Sequence, residues 1–308
     1  MNPLRDLFLR ASRSRWLDNQ MRRRRFAQRA VRRFMPGESV ESALEACREF
    51  ARQNISTVVT QLGENVATET EGRDVTEHYV GVLDAIAREG IPTHVSVKLT
   101  HLGLDLGTAF CTDQLTRLVA HASTQRNFVW VDMEGSTYVD HTLEIFRTVR
   151  EANDNVGLCV QSYLYRTEHD LTELRSLRPA IRLVKGAYQE PPSIAYPRKR
   201  DVDANYMRLA RRLLDDEAFR EARPGLGTHD VYLLREIQRY AASKGVPKNA
   251  YEIQMLYGVR RDDQCAFAGE GCSVRVLVSY GDAWFPWYMR RLAERPANVW
   301  FLARSVVG

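Results

Sequence analysis

Apolar and polar positions change their period along this chain. Residues 36–53, opening on Pro36, Gly37, Glu38 and Ser39, pattern as a helix, and from about residue 54 short runs rich in β-branched residues alternate with stretches of helical period, as expected of repeated βα units. Strand-like runs stand at 56–62, 94–99, 128–133, 156–161, 181–186, 225–229, 251–256 and 274–280, the sixth poor in β-forming residues. Eight strands, each followed by a helical stretch, within about 250 residues predict an α/β fold, a (β/α)8 barrel of the TIM type, whose functional groups gather at the C-terminal ends of the strands. The competing arrangement is an open doubly wound sheet, but no Gly-rich dinucleotide fingerprint follows the first strand and no phosphate-binding lysine loop occurs. The chain therefore divides into a basic N-terminal arm with helices at 1–53, forming a helical extension, and a barrel at 54–308.

The chain has 308 residues, 44% hydrophobic and 27% charged, enough for one large domain or two small ones. No run approaches the roughly 18 apolar residues of a membrane span, and no apolar segment with a small-residue cleavage site opens the chain, so the expected location is the cytoplasm. Cys47, Cys111, Cys159, Cys265 and Cys272 are widely spread, odd in number and without metal-ligand spacing, which marks them as reduced packing residues. The net charge of +5 is unevenly placed: eleven arginines against Asp6 and Asp18 give residues 1–33 a charge of +9, leaving −4 for the rest. With Leu7, Phe8, Trp16, Leu17, Met21 and Phe26 among its arginines, this arm suits a solvated helical face, an anionic membrane surface or a nucleic-acid backbone. No RNA- or DNA-binding motif follows, which makes nucleic acid the weakest of the three.

Side chains alternate along a strand, so each run has two faces. Ser96 and Lys98 oppose Val95 and Val97; Trp130 and Asp132 oppose Val129 and Val131; Cys159 and Gln161 share a face, as do Arg182, Val184 and Gly186. Lys98, Asp132 and Gln161 thus stand at strand ends on the face opposite the aliphatic one. Any one of them has a plain explanation, as a snorkelling lysine or a helix-capping aspartate; together they need a ligand or mutual pairing, because buried charge without a partner is costly. Near the C-terminus, Trp287, Arg290, Arg291 and Glu294 share one side of a helical stretch, and adjacent guanidinium forks beside an aromatic ring suit the gripping of a carboxylate next to an apolar group.

From about residue 35 onward the chain resembles proline dehydrogenase, in its short single-function bacterial form. The resemblance rests on seven stretches in the same order: Val95-Ser96-Val97-Lys98-Leu99, Val131-Asp132-Met133-Glu134, Val160-Gln161-Ser162-Tyr163-Leu164-Tyr165-Arg166, Arg182-Leu183-Val184-Lys185-Gly186-Ala187-Tyr188, Thr228-His229-Asp230, Leu256-Tyr257-Gly258-Val259-Arg260 and Arg290-Arg291-Leu292-Ala293-Glu294. It implies a distorted (β/α)8 barrel with FAD bound noncovalently over the strand ends. The implied reaction is oxidation of L-proline to 1-pyrroline-5-carboxylate, the first step of proline degradation to glutamate, with hydride passing to flavin N5 and electrons onward to a quinone. A separate 1-pyrroline-5-carboxylate (glutamate-semialdehyde) dehydrogenase would take the product. By the same resemblance Arg290 and Arg291, with Lys98, hold the substrate carboxylate; Glu294 orients them; Tyr188 walls the pocket; Asp132 stabilises the iminium-like charge; and Arg182 lies next to flavin N5. Met133, Gln161, Lys185, Gly186, Ala187, Thr228 and His229 fall to cofactor binding, Lys185 as a phosphate contact. Contact of the arm with the inner membrane face, where the quinone resides, would make the protein peripheral.

Other readings stay open. Lys98 or Lys185 in a barrel suits a Schiff-base aldolase, and the arginine arm a nucleic-acid-binding barrel. Thr228-His229-Asp230 is a possible metal or relay motif in form, but the other histidines, at 78, 94, 101, 121, 141 and 169, offer no ligand spacing. Where the family commonly has tyrosines bordering the substrate, this chain has Leu277 and Trp287, so a substituted proline or another cyclic imino acid is an alternative substrate.

Overall fold

The computed structural model describes residues 31–285 together with 288 and 289. Eight parallel strands close into a barrel in chain order: β1 (Ser56–Gln61), β2 (Thr93–Val97), β3 (Val129–Val131), β4 (Val156–Gln161), β5 (Ala180–Val184), β6 (Gly225–Gly227), β7 (Glu252–Leu256) and β8 (Ser273–Tyr280), with β8 pairing back onto β1. The barrel expected from the apolar rhythm is present, and each run at 56–62 through 274–280 overlaps its strand, three of which, β2, β5 and β8, begin one residue earlier. The strands that end early are informative. The run at 94–99 leaves the ladder at Val97, because the Lys98 carbonyl already accepts from the amides of His101 and Leu102. In the run at 128–133 only three residues are strand, although the Asp132 amide still reaches the Val97 carbonyl at 2.8 Å. Lys98 and Asp132 therefore stand just past the C-terminal ends of their strands.

The weak sixth strand has a packing cause. A Cβ on Gly225 would lie 2.5 Å from the Gln254 side-chain amide, and one on Gly227 would lie 2.8 Å from Val184. Glycine gives up β-propensity there to make room for the side chains of neighbouring strands.

Helices follow the strands: α1 (Val40–Ala51) precedes the barrel, then α2 (Glu69–Glu89), α3 (Thr108–Thr124), α4 (Val139–Ala152), α5 (Thr167–Leu174), α6 (Lys199–Asp215) with the short α7 (Glu217–Arg220), α8 (Val231–Ser243) and α9 (Arg261–Gly269). The predicted helix at 36–53 begins at Val40, because Ser39 is extended and its hydroxyl accepts from the Ser42 amide as an N-cap. Ala43, Leu44, Cys47 and Phe50 form its buried face, which joins the main core against β1 and β8. This is the flank that a helix after the last strand ordinarily covers. After β8 the chain instead carries Trp284, Phe285, Tyr288 and Met289 onto Val31, Met35 and Leu62, and the Trp284 indole donates to Glu38 at 2.9 Å.

The outward strand face is aliphatic, with Val95, Val97, Val129, Val131, Leu158, Ile181, Leu183, Ile253 and Val276 in the main core. The inward face is polar to an unusual degree. Arg275 and Glu252 meet inside as a buried two-pronged pair at 2.8 and 2.9 Å, and Arg275 also donates to the Thr57 carbonyl. Burial alone would raise the Glu252 pKa, but the Arg275 charge and its hydrogen bonds prevail and hold it at about 2. A depressed folded-state pKa contributes stability above the unfolded value, near 4.3, that is lost as pH falls through about 2. Glu252→Gln strands the Arg275 charge and should lower the unfolding free energy by about 3–5 kcal/mol at neutral pH, while flattening the decline of stability below pH ~4. An unchanged urea midpoint at pH 7 would contradict this account of the barrel interior.

Candidate active site

At the C-terminal mouth three side chains from three strands form one chain of hydrogen bonds. The Ser96 hydroxyl, from β2, donates to Asp132 Oδ1 at 2.9 Å and accepts from Arg182 Nη2 of β5 at 2.8 Å, while that same nitrogen stands 3.4 Å from Asp132 Oδ1. Strand register explains the meeting, since Ser96 pairs with Trp130 across the ladder and its inward parity continues to Asp132. The Arg182 side chain is 4% exposed and that of Asp132 is 19% exposed, so the acid can be reached from the mouth and the guanidinium is sealed behind it. Arg182 Nε finds no hydrogen-bond partner among the described residues.

Beside this chain, Gln161 donates from Nε2 to the carbonyls of Met133 and Glu134 at 3.3 and 3.2 Å, and its Oε1, buried, has no partner. Glu134 turns away from the opening to accept from the Thr100 amide and hydroxyl at 3.0 and 2.7 Å. Burial raises its pKa against the pull of those bonds and of the nearby Lys98. Lys98 also acts on His101, whose pKa falls to about 4 through burial first and the Lys98 charge second. His101 is thus neutral at physiological pH, and Lys98 is the cation on this side of the mouth.

The loop after β5 is tied into the mouth. The Lys185 carbonyl accepts from the Tyr163 amide, Leu164 bridges to Ala195, and Glu190 accepts from the Ser136 amide and hydroxyl at 2.7 and 2.5 Å. Gly186 has φ +114°, and a Cβ there would lie 2.3 Å from the Tyr163 ring, so only glycine fits. Ala187 and Tyr188 follow on the same partly buried loop. Lys185, expected at a phosphate, has the opposite strand parity from Arg182 and already holds two carboxylates. Its Nζ lies between Asp203 at 2.5 Å and Asp230 at 3.0 Å, and Lys199 shares both acids. Alternation sets its parity, because Arg182 and Val184 hold the inward one. Two acids answer two ammonium groups, so a phosphate here would have to share Lys185 with its resident carboxylates.

Thr228 and His229 lie between β6 and α8, where Asp230 caps the helix by accepting from the Leu233 amide at 3.3 Å and Thr228 accepts from the Asp230 amide. Arg290, Arg291 and Glu294, with Trp287, lie outside the described residues. Leu277, expected beside the substrate, packs partly buried against the cluster of Val58, Trp130 and Ala180. The sequence reading gave no task to Ser96, the bridge, or to Trp130; both share strand parity with assigned residues, Lys98 and Asp132, and that was the available signal. Among the described residues no group of three or more His, Cys, Asp and Glu side chains could hold a metal ion.

A closed barrel carrying an acid, a hydroxyl and a buried guanidinium at its strand ends defines the class: a (β/α)8 barrel with its polar groups gathered at the C-terminal mouth. The proline dehydrogenase family model matches residues 43–304. Proline dehydrogenase 2 of Bacillus subtilis is 36% identical over 302 residues, covering 98% of each chain. Proline dehydrogenase of Deinococcus radiodurans is 38% identical over 284 residues, covering 89% of each. Among solved structures, proline utilization A of Bdellovibrio bacteriovorus, inactivated by N-propargylglycine, superposes with a TM-score of 0.81 at 25% identity over 87% of this chain, which spans about a third (33%) of that larger protein. The chain belongs to the proline dehydrogenase family of flavin-dependent oxidoreductases.

Ser96→Ala removes both bonds of the bridge and leaves a buried guanidinium N–H without its acceptor. We expect a loss of about 1–3 kcal/mol in unfolding free energy, read from urea denaturation; stability equal to the unsubstituted protein would show that Asp132 and Arg182 do not depend on the bridge.

Proposed function

We propose that this chain oxidises L-proline to 1-pyrroline-5-carboxylate with FAD as its cofactor. The observation that carries the reading is the Asp132, Ser96 and Arg182 chain at the mouth, with a buried donor, Arg182 Nε, and, on the neighbouring strand, a buried acceptor, Gln161 Oε1, that have no partner among the described residues. Unmet donors and acceptors within one polar mouth suit a ligand that carries both, as a heteroaromatic ring does. FAD, when bound, supplies a two-electron acceptor that takes a hydride from the carbon next to the substrate nitrogen. Met133, Gln161, Gly186, Ala187, Thr228 and His229 would hold it, with Lys185 contributing a proton beyond those given to Asp203 and Asp230.

The chain's own groups do the positioning. Lys98, Arg290 and Arg291 grip the substrate carboxylate, Glu294 orients the arginines, and Tyr188 closes one wall. Three cations on one anion in a water-poor site fix which carbon is presented. Asp132, fixed by Ser96 and partly exposed, faces the positive charge that grows on the substrate nitrogen and stabilises it without moving. The catalytic unit is the barrel at 54–308, with residues 1–53 as its extension. A quinone receives the electrons, and a separate dehydrogenase consumes the product.

No helix among the described residues is long and apolar enough to cross a membrane. The arginine-rich arm offers weak attachment to an anionic inner membrane surface, where a quinone dissolves. Because Val31 and Met35 pack beneath Trp284 and Tyr288, the deletion that tests this should stop at residue 30. It should lower binding to anionic vesicles while dye-linked proline oxidation continues; equal vesicle binding by both forms would reject the attachment.

Purified protein should be yellow, and its flavin band should bleach when L-proline is added without oxygen; colourless protein, or a band indifferent to proline, would overturn the proposal. Arg290→Ala and Arg291→Ala should each raise KM for proline roughly 10- to 100-fold, the scale of a lost charge-assisted hydrogen bond, with flavin retained. Unchanged proline kinetics would remove them from the site.

A further inference from the structure

Trp130 has no part in the reading above, yet it is the largest side chain inside the barrel against Arg182. Its indole is 3% exposed, and the Arg182 guanidinium carbon lies 4.8 Å from the ring centroid. The ring is fixed from three directions. Its N–H donates to His94 Nδ1 at 3.3 Å. Phe128 packs at 5.1 Å between centroids, and Val58 and Ala180 complete the cluster. Gly157 stands across the ladder from Trp130, and a Cβ there would come within 2.7 Å of the indole. The strand next door has given up its side chain at the point where the ring needs space.

These contacts matter because of what Arg182 lacks. Ser96 and Asp132 engage Nη2 alone, and a guanidinium held by one nitrogen is free to swing about that bond. An aromatic face supplies the second constraint, since it attracts a cation electrostatically without using any of its N–H donors. Nε is left without a partner among the described residues. A hydrogen-bonding partner in place of Trp130 would consume the donor that the site needs.

We propose that Trp130 is a positioning residue that holds the Arg182 guanidinium against the cofactor and thereby sets the flavin's midpoint potential. The inference rests on the flavin reading given above. A fixed cation beside an electron acceptor raises its potential, because arriving electrons bring negative charge; a guanidinium that wanders does so less. Trp130 acts through Arg182 and touches no reacting atom.

The test uses the full chain with FAD bound and an equilibrium redox titration without proline, so that the readout is independent of turnover. Trp130→Leu removes the aromatic face and should shift the flavin's reduction equilibrium about tenfold toward the oxidised form, a fall of roughly 30 mV for a two-electron couple. Trp130→Phe keeps a face but loses the His94 bond, and should fall about threefold, roughly 14 mV. Should the leucine variant not fold, the phenylalanine variant decides alone. In an Arg182→Gln background, Trp130→Leu should bring no further fall, because the tryptophan then has nothing to hold. Wild-type potentials in both folded variants would overturn the inference, as would a full additional fall in the Arg182→Gln background. A merely structural role would lower thermal stability while leaving the potential unmoved. If the unsubstituted protein binds no flavin, the flavin reading itself has failed, an outcome distinct from flavin-bound variants with unaltered potential.

Discussion

A guanidinium can be sealed inside a barrel only if its charge is answered there, and much of the mouth is arranged around answering Arg182. Asp132 supplies the opposite charge, Ser96 carries it across 2.8 and 2.9 Å, and Trp130 offers its ring on another side. Each answer is partial. A bidentate carboxylate, of the kind Glu252 gives Arg275 through Nε and Nη2 lower in the same barrel, would neutralise Arg182 more fully and take up its Nε. The two buried arginines thus show one chemistry used in two ways: fully paired where the barrel needs cohesion, incompletely paired where it needs a ligand.

The distinction depends on where strands stop. Interior positions within the ladders are closed in by neighbours on both sides, as Arg275 and Glu252 are. Lys98 and Asp132 stand one residue past theirs, and after Lys98 the amides of His101 and Leu102 fold back on its carbonyl. A strand that ran on for two more residues would bury both under the next layer of side chains. The loops after β4 and β5 are in turn zipped to one another and to Ser136, so that protein contacts brace the polar ends. Preorganisation of this kind is what lets fixed charge stabilise a developing charge without rearrangement.

The barrel was legible because its signal is repetitive: eight aliphatic runs, each opposing a polar parity, admit few other closures. The site was legible in outline because that same parity placed Ser96 with Lys98 and Trp130 with Asp132. Lys185 shows where the reasoning reached its limit. Its neighbours in sequence suggested a phosphate ligand, but it lies on the opposite parity from Arg182, and its partners Asp203 and Asp230 come from α6 and from the cap of α8. Nothing local in the chain announces acids that are 18 and 45 residues away.

What the sequence by itself determined is periodic and local: the order and number of strands, the polar inward face, and the side chains available to the mouth. Tertiary structure alone decided which of them meet. It set α1 on the flank between β1 and β8, laid residues 31–35 against those after the last strand, and emptied Gly157 and Gly225 so that Trp130 and Gln254 could fill the interior. The physical reason is that alternation assigns a side chain to a face, whereas the neighbour it finds across the barrel depends on how the sheet staggers as it closes, and that stagger is a property of all eight strands at once.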